Sequence, residues 1–307
     1  MKLVRPKFWL NKNLLSYLFF PFSIITLCIN KYKKLLIKKK FSIKTICVGN
    51  INVGGTGKTT LAIEIYKILN KDFKTVLIKK KYDHQKDELR LLKKNGDTLS
   101  EKSRINSLTS AQKKNYKVAV LDDGLQQKDI SYNIAIVCFN SNEGFGNRFL
   151  LPAGPLRENI SELKNYDIAF IIGKKKNSKL YSDIKSKNKH IKIFQGRYKP
   201  KNLHHINKKD KYFMFCGIGN PKEFENTLNK YRIKIKDKKI YPDHYKMSSN
   251  EIKKIKEISK KKSLTLITTE KDYLRLEKNE RKGVKFIKIS LEINKYNNFK
   301  KLLLSKV

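Results

Sequence analysis

The sequence predicts an α/β fold: a mostly parallel sheet with helices on both faces, plus a smaller α/β domain toward the C-terminus. Three observations predict it. Thr45 to Leu69 reads as an apolar strand, a glycine-rich turn and a helix whose Leu61, Ala62, Ile65, Ile68 and Leu69 fall on one face. Apolar runs recur at Thr75–Ile78, Val118–Leu121, Ile134–Phe139 and Ile168–Ile172, separated by helix-length or loop-length segments, as strands joined by crossovers are. A second apolar series, at Tyr212–Cys216, Thr265–Ile267 and Val284–Ile289, starts after the polar stretch Pro200–Lys211, which reads as a linker. On this reading residues 1–40 are an N-terminal helical segment. Residues 41–207, completed by 291–307, form the first domain, and 208–290 form the second.

Taken in order, the first element is Leu14 to Ile29, which carries no charge. As a helix it would reach about 24 Å, short of the roughly 30 Å hydrocarbon core of a bilayer. Pro21 stands in its middle and would kink or break it. Lys2, Arg5, Lys7 and Lys12 precede it; Lys31, Lys33, Lys34 and Lys38 to Lys40 follow. No small-residue cleavage site of a secretory signal is evident. An apolar segment between basic flanks suits an in-plane anchor on an anionic membrane surface. A buried core helix and a single membrane span are the alternatives.

Next comes the glycine-rich turn, in GNINVGGTGKTT (Gly49–Thr60). Gly54, Gly55 and Gly57 carry no side chains, so the backbone N–H groups of Asn52 to Thr60, including Val53 and Thr56, can converge on phosphate oxygens at a helix N-terminus. Lys58 would reach the β- and γ-phosphates, and Thr59 would offer its hydroxyl to Mg²⁺. Strand, loop and helix together mark a phosphate-loop NTPase-type domain that takes ATP and Mg²⁺. The strict pattern has a further glycine where this chain has Asn52, and Thr60 stands where proline is frequent. Downstream, Lys117–Gly124 (KVAVLDDG) is an apolar strand ending in Asp122 and Asp123, the expected place for Mg²⁺-linked carboxylates because ligands of parallel sheets collect beyond strand C-termini.

Composition excludes less than it suggests. The chain of 307 residues has 70 Lys+Arg against 27 Asp+Glu, a formal charge of +43, which points to a polyanionic partner, nucleic acid or membrane. Yet the lysines are spread along the whole chain beside many Asn and Ile, the mark of a genome-wide bias. No base-reading motif or interleaved aromatic platform is visible, so no nucleic-acid partner is expected. The 4 cysteines are far apart and the 5 histidines show no paired spacing, so neither a disulfide scaffold nor a zinc site is indicated.

Several stretches occur in a fixed order: VGNINVGGTGKT, LDDGLQQ, FGN (Phe145–Asn147), LPAGPLRE (Leu151–Glu158), CGIGNPKEF (Cys216–Phe224), YPDHY (Tyr241–Tyr245) and TTEKD (Thr268–Asp272). From about residue 43 to 290 the chain resembles the tetraacyldisaccharide 4'-kinase family. The resemblance implies an enzyme that phosphorylates the lipid A disaccharide precursor at the cytoplasmic face of the bacterial inner membrane. It implies a lipid disaccharide substrate, contact with the anionic inner-membrane surface and a smaller domain that closes over the active site; the oligomeric state is not readable from the sequence, with a monomer the expectation. It places Asp87 as catalytic acid–base residue, with His244 of the YPDHY motif orienting it. It puts Glu158 beside Asp122 and Asp123 on the metal, and Tyr82, Gln126 and Arg157 toward substrate. Around Asp87 the chain departs from the family, with lysines where its Ser-Arg-Gly and a further Gly stand. Gln127 replaces a family His, keeping hydrogen bonding and losing titration. Two other readings compete: a phosphate-loop transferase acting on a soluble acceptor, and a nucleotide-switched ATPase binding an anionic partner.

Overall fold

The computed structural model describes residues 6–82, 86–174, 176–243 and 245–307. The chain divides into two compact units. The larger comprises Arg5–Lys81, Leu92–Tyr198 and Leu291–Val307; the smaller takes Tyr82–Leu91 and Lys199–Ser290.

The larger unit is built on an 8-stranded sheet. Its centre is β1 (Lys44–Gly49), flanked by β4 (Val118–Asp122) and β5 (Ile134–Asn140), both parallel to it. Beyond β4 lie β2 (Thr75–Lys79) and the short β3 (Thr98–Leu99). Beyond β5 lie β6 (Ile168–Ile172), β7 (Lys192–Pro200) and β12 (Ile289–Ile293). The strands β2, β4, β5 and β6 are buried along their whole lengths, as a parallel sheet covered on both faces requires. The covering helices include α3 (Lys58–Leu69), α5 (Arg104–Lys113), α6 (Ser178–Lys187) and α10 (Tyr296–Leu304). In α3 the residues spaced for one face, Leu61, Ala62, Ile65, Ile68 and Leu69, are all buried.

The N-terminal apolar segment is broken at its proline: α1 (Leu14–Leu18) ends before Pro21, and α2 (Ser23–Lys34) starts after it. Among the described residues no helix is long and apolar enough to cross a membrane.

The smaller unit carries a 4-stranded parallel sheet in the order β11 (Val284–Ile287), β10 (Thr265–Thr269), β8 (Lys211–Cys216), β9 (Lys234–Ile240). Its helices are α7 (Pro221–Lys230), α8 (Ser249–Lys261) and α9 (Glu270–Tyr273). The helix α4 (Lys86–Asn95) opens with Asp87 and Glu88 in its first turn. Two features depart from the apolar pattern. The run Val284–Ile289 is divided, β11 joining the small sheet while β12 joins the large one. The strand β9, KIKDKKI, lacks an apolar run because it is an edge strand, where lysines block pairing with another chain.

Candidate active site

Around the phosphate loop the sequence explains the geometry residue by residue. The loop leaves β1 at Asn50, whose side-chain amide donates to Thr56 Oγ1 at 2.9 Å and so braces the loop from inside. Asn52, standing where the strict pattern has glycine, is buried and donates to the Gly144 carbonyl at 2.7 Å. The backbone N–H of Val53 donates to the Pro155 carbonyl at 2.8 Å, and that of Arg157 to Ile51 at 2.7 Å, which ties the LPAGPLRE stretch along the loop. Gly54 and Gly57 have φ of +124° and +77°. At Gly57 a Cβ would also lie 2.3 Å from Ile172 Cδ1 and from Tyr198 Oη, so any other residue would be strained by the φ and would push these side-chain ends aside before α3 begins at Lys58.

Parallel register sets the acids. Val48 on β1 and Lys79 on β2 both lie opposite Asp122 on β4, so three strand ends meet beside the loop. Asp122 is fully buried; its Oδ2 accepts from Thr59 Oγ1 at 2.9 Å and from Lys79 Nζ at 2.8 Å. Its Oδ1 is buried with no hydrogen-bond partner among the described residues. An unsatisfied carboxylate oxygen next to a threonine hydroxyl fits Mg²⁺, which takes one or two protein ligands and completes its shell with waters and phosphate oxygens. Among the described residues, no group of three or more His, Cys, Asp or Glu side chains gathers as a metal cage.

Asp123 follows in the left-handed region, at φ 62°, with its carbonyl accepting from Arg104 Nη2. Its Oδ1 lies 3.6 Å from Lys58 Nζ and 3.3 Å from Arg157 Nη1. Burial pushes this carboxyl upward, but Lys58, Arg157, Lys79 and Arg104 outweigh it and hold the group below the usual carboxylate range. Arg157 also donates to Gln126 Oε1 at 3.2 Å, and Gln126 donates to the Asn50 carbonyl at 2.7 Å. Gln127 accepts from Arg104 Nη1 at 3.1 Å, a hydrogen-bonding role that needs no titration. Glu158 is buried elsewhere in this network, its oxygens accepting from Tyr166 Oη at 2.5 Å and from Lys128 Nζ at 2.6 Å.

A second cluster lies in the smaller unit. Asp87 is buried, and its Oδ2 accepts from Arg275 Nη2 at 2.7 Å, with Lys271 Nζ at 3.5 Å. Lys271 also pairs with Glu88 at 2.9 Å. Arg275 reaches Asp272 Oδ1 and donates to the Gly217 carbonyl at 2.6 Å; Asp272 in turn accepts from the Gly217 N–H at 3.1 Å. Burial pushes the Asp272 carboxyl up, against the pull of Arg275. Tyr82 is half-buried just before α4. His244 lies outside the described residues.

A model of the family described as tetraacyldisaccharide-1-P 4'-kinase matches residues 13–101 and 79–307. A protein of Pelagibacter ubique named tetraacyldisaccharide 4'-kinase is 45% identical over 305 residues, 97% of this chain and 96% of that one. The chain belongs to the tetraacyldisaccharide 4'-kinase family. A relative of the same name from Rickettsia typhi is 33% identical over 90% of each chain. The fold agrees as well: LpxK from Aquifex aeolicus, solved in complex with ATP, superposes with a TM-score of 0.73 at 21% identity, covering 95% of this chain and 99% of that one.

In this member of the family, three site residues carried no sequence signal. Lys79 belongs to the lysine run that replaces the family's Ser-Arg-Gly, and a run of lysines reads as solvated surface, yet Lys79 is 2% exposed. Arg104 heads α5 after an ordinary N-cap, Ser103. Arg275 lies just beyond the TTEKD motif, and nothing local marks it as the partner of Asp87.

Proposed function

We propose that this chain transfers the γ-phosphate of ATP to the 4'-hydroxyl of tetraacyldisaccharide 1-phosphate, an early lipid A precursor. One observation carries the reading: a phosphate loop with Lys58, Arg157 and the Asp122–Thr59 pair converging beside it, in a chain 45% identical over 97% of its length to a tetraacyldisaccharide 4'-kinase.

In this mechanism the loop N–H groups and Lys58 cradle the phosphates, and Arg157 faces the transferred group with a charge-assisted fork. Thr59 and Asp122, with Asp123 beside them, would hold Mg²⁺, which when bound would supply charge neutralisation for the phosphates. Asp87 accepts the proton of the 4'-hydroxyl. The hydroxyl oxygen forms the new bond to phosphorus, the bond to the bridging oxygen breaks, and ADP leaves with that electron pair. His244 orients the Asp87 carboxylate, and Gln126 and Tyr82 serve the acceptor side. Glu158, satisfied by Tyr166 and Lys128, anchors the end of the LPAGPLRE stretch next to Arg157.

The acyl chains are met at the membrane. Leu14, Leu18, Phe20, Phe22, Ile25, Leu35 and Ile37 are exposed, an apolar surface flanked by lysines that suits the anionic cytoplasmic face of the inner membrane, where ATP is available.

The test is transfer of labelled γ-phosphate from ATP to purified tetraacyldisaccharide 1-phosphate in detergent micelles. Wild type should label the lipid in a Mg²⁺-dependent way, with Lys58→Ala and Asp87→Ala both inactive. Labelling that survives Asp87→Ala moves the proton acceptor elsewhere. Free phosphate without labelled lipid overturns the lipid-kinase reading.

A further inference from the structure

The helix α2 is amphipathic in the inverted sense. Its residues Ser23, Thr26 and Asn30 recur at helical spacing and turn inward, while Ile24, Ile25 and Ile29 are exposed. Each inward residue donates to a backbone carbonyl of one loop: Ser23 Oγ to Leu150 at 2.9 Å, Thr26 Oγ1 to Leu151 at 2.8 Å, Asn30 Nδ2 to Arg157 at 2.7 Å. One turn further, Lys34 pairs with Glu162. That same loop is hydrogen-bonded to the phosphate loop through Val53 and Ile51, and it ends in the guanidinium that shares Asp123 Oδ1 with Lys58. Three hydrogen bonds therefore tie the polar face of α2 to the backbone of this loop, the last at the carbonyl of Arg157, the residue whose guanidinium lies beside Lys58.

The occupant of the outer face follows from its chemistry. A helix that spends its polar side on its own protein and leaves isoleucines outside has no soluble rationale, and the lysines near its end, Lys31 and Lys33, favour an anionic surface. That occupant is a lipid bilayer. We propose that Ser23, Thr26 and above all Asn30 are positioning residues, which couple seating of α2 on the bilayer to the setting of Arg157 beside the phosphate loop. The proposal rests on the membrane-bound lipid kinase reading above. Seating α2 restrains the helix, the restrained helix restrains three carbonyls of the loop, and Arg157 is held where the phosphates bind.

The test uses the full chain with vesicles containing phosphatidylglycerol, in wild type, Thr26→Val, Asn30→Ala and Asn30→Gln. The first readout is affinity for a fluorescent ATP analogue with and without vesicles. Wild type should bind the analogue about fivefold more tightly when vesicles are present, the worth of one ordinary hydrogen bond. Asn30→Ala should float with vesicles as wild type does, keep its thermal transition, and lose that gain. Asn30→Gln should recover part of it. The second readout is lipid labelling, where Asn30→Ala should lower kcat more than it raises the KM for the lipid. In an Arg157→Ala background Asn30→Ala should add nothing, because its effect passes through Arg157.

Vesicles that leave wild-type ATP affinity unchanged overturn the coupling. So does an Asn30→Ala effect that is fully additive with Arg157→Ala, or one that merely follows loss of vesicle binding or of folded protein. A wild type that fails to label the lipid sinks the kinase reading, and the nucleotide-affinity readout still decides the coupling.

Discussion

Arg275 joins two buried carboxylates that are distant in sequence, and its removal is the sharpest probe of the smaller unit. In Arg275→Met the apolar stem is retained while Asp87 and Asp272, 3% and 0% exposed at their side chains, lose the guanidinium 2.7 Å and 2.5 Å away. Breaking a buried pair from one side costs about 3–5 kcal/mol. Lys271 remains 3.5 Å from Asp87, so the lower end applies and we expect about 3 kcal/mol. The pH dependence has a definite sign. The Asp272 carboxyl is already raised, chiefly by burial, and Arg275 is the largest influence lowering it. Without Arg275 it rises further. A raised carboxyl favours the fold below its unfolded value, about 3.9, and that contribution is lost as pH rises through the folded value. The deficit of Arg275→Met should therefore be largest near pH 7 and shrink on acidification. Urea unfolding of both proteins at pH 7 and near pH 4.5 measures it. A deficit under about 1 kcal/mol, or one equal at the two pH values, refutes the argument.

Two further outcomes follow from the phosphate loop. Gly57→Ala places a Cβ 2.3 Å from Ile172 Cδ1 and Tyr198 Oη at a φ of +77°, so it should weaken binding of a fluorescent ATP analogue by about tenfold; wild-type affinity in a folded variant would contradict the geometry. The Asp123 carboxyl is held low by Lys58, Arg157, Lys79 and Arg104 against burial, so it stabilises the fold above its unfolded value and that stability is lost as pH falls through the folded one. Lys58→Met should accordingly flatten the acid limb of stability against pH, read by thermal unfolding across pH 3–6, while an unchanged limb would remove Lys58 as the cause.

Some of this protein was legible in one dimension. The phosphate loop, its strand and its helix are a local event: apolar run, glycines with positive φ and an amphipathic face all lie within Lys44–Leu69. The buried strands β2, β4, β5, β6, β8 and β10 announce themselves because a strand covered on both faces must be apolar throughout. Pro21 marked the break between α1 and α2 for an equally local reason. The order of motifs was sufficient to point to the family.

What tertiary structure decided is which charges meet. Lys79 and Asp122 are brought together by parallel register between β2 and β4, and no local pattern distinguishes that lysine from Lys80 or Lys81 beside it. Asp87 finds Arg275 at a separation of 188 residues, and α2 finds the carbonyls of Leu150 and Leu151 at separations of 127 and 125. The β7 and β12 strands likewise lack apolar runs, because partly exposed strands near a sheet edge bury too little to require them. Periodicity in sequence records what a segment must bury; the partner that neutralises a buried charge is chosen only when the sheet closes its register and distant strand ends are brought side by side.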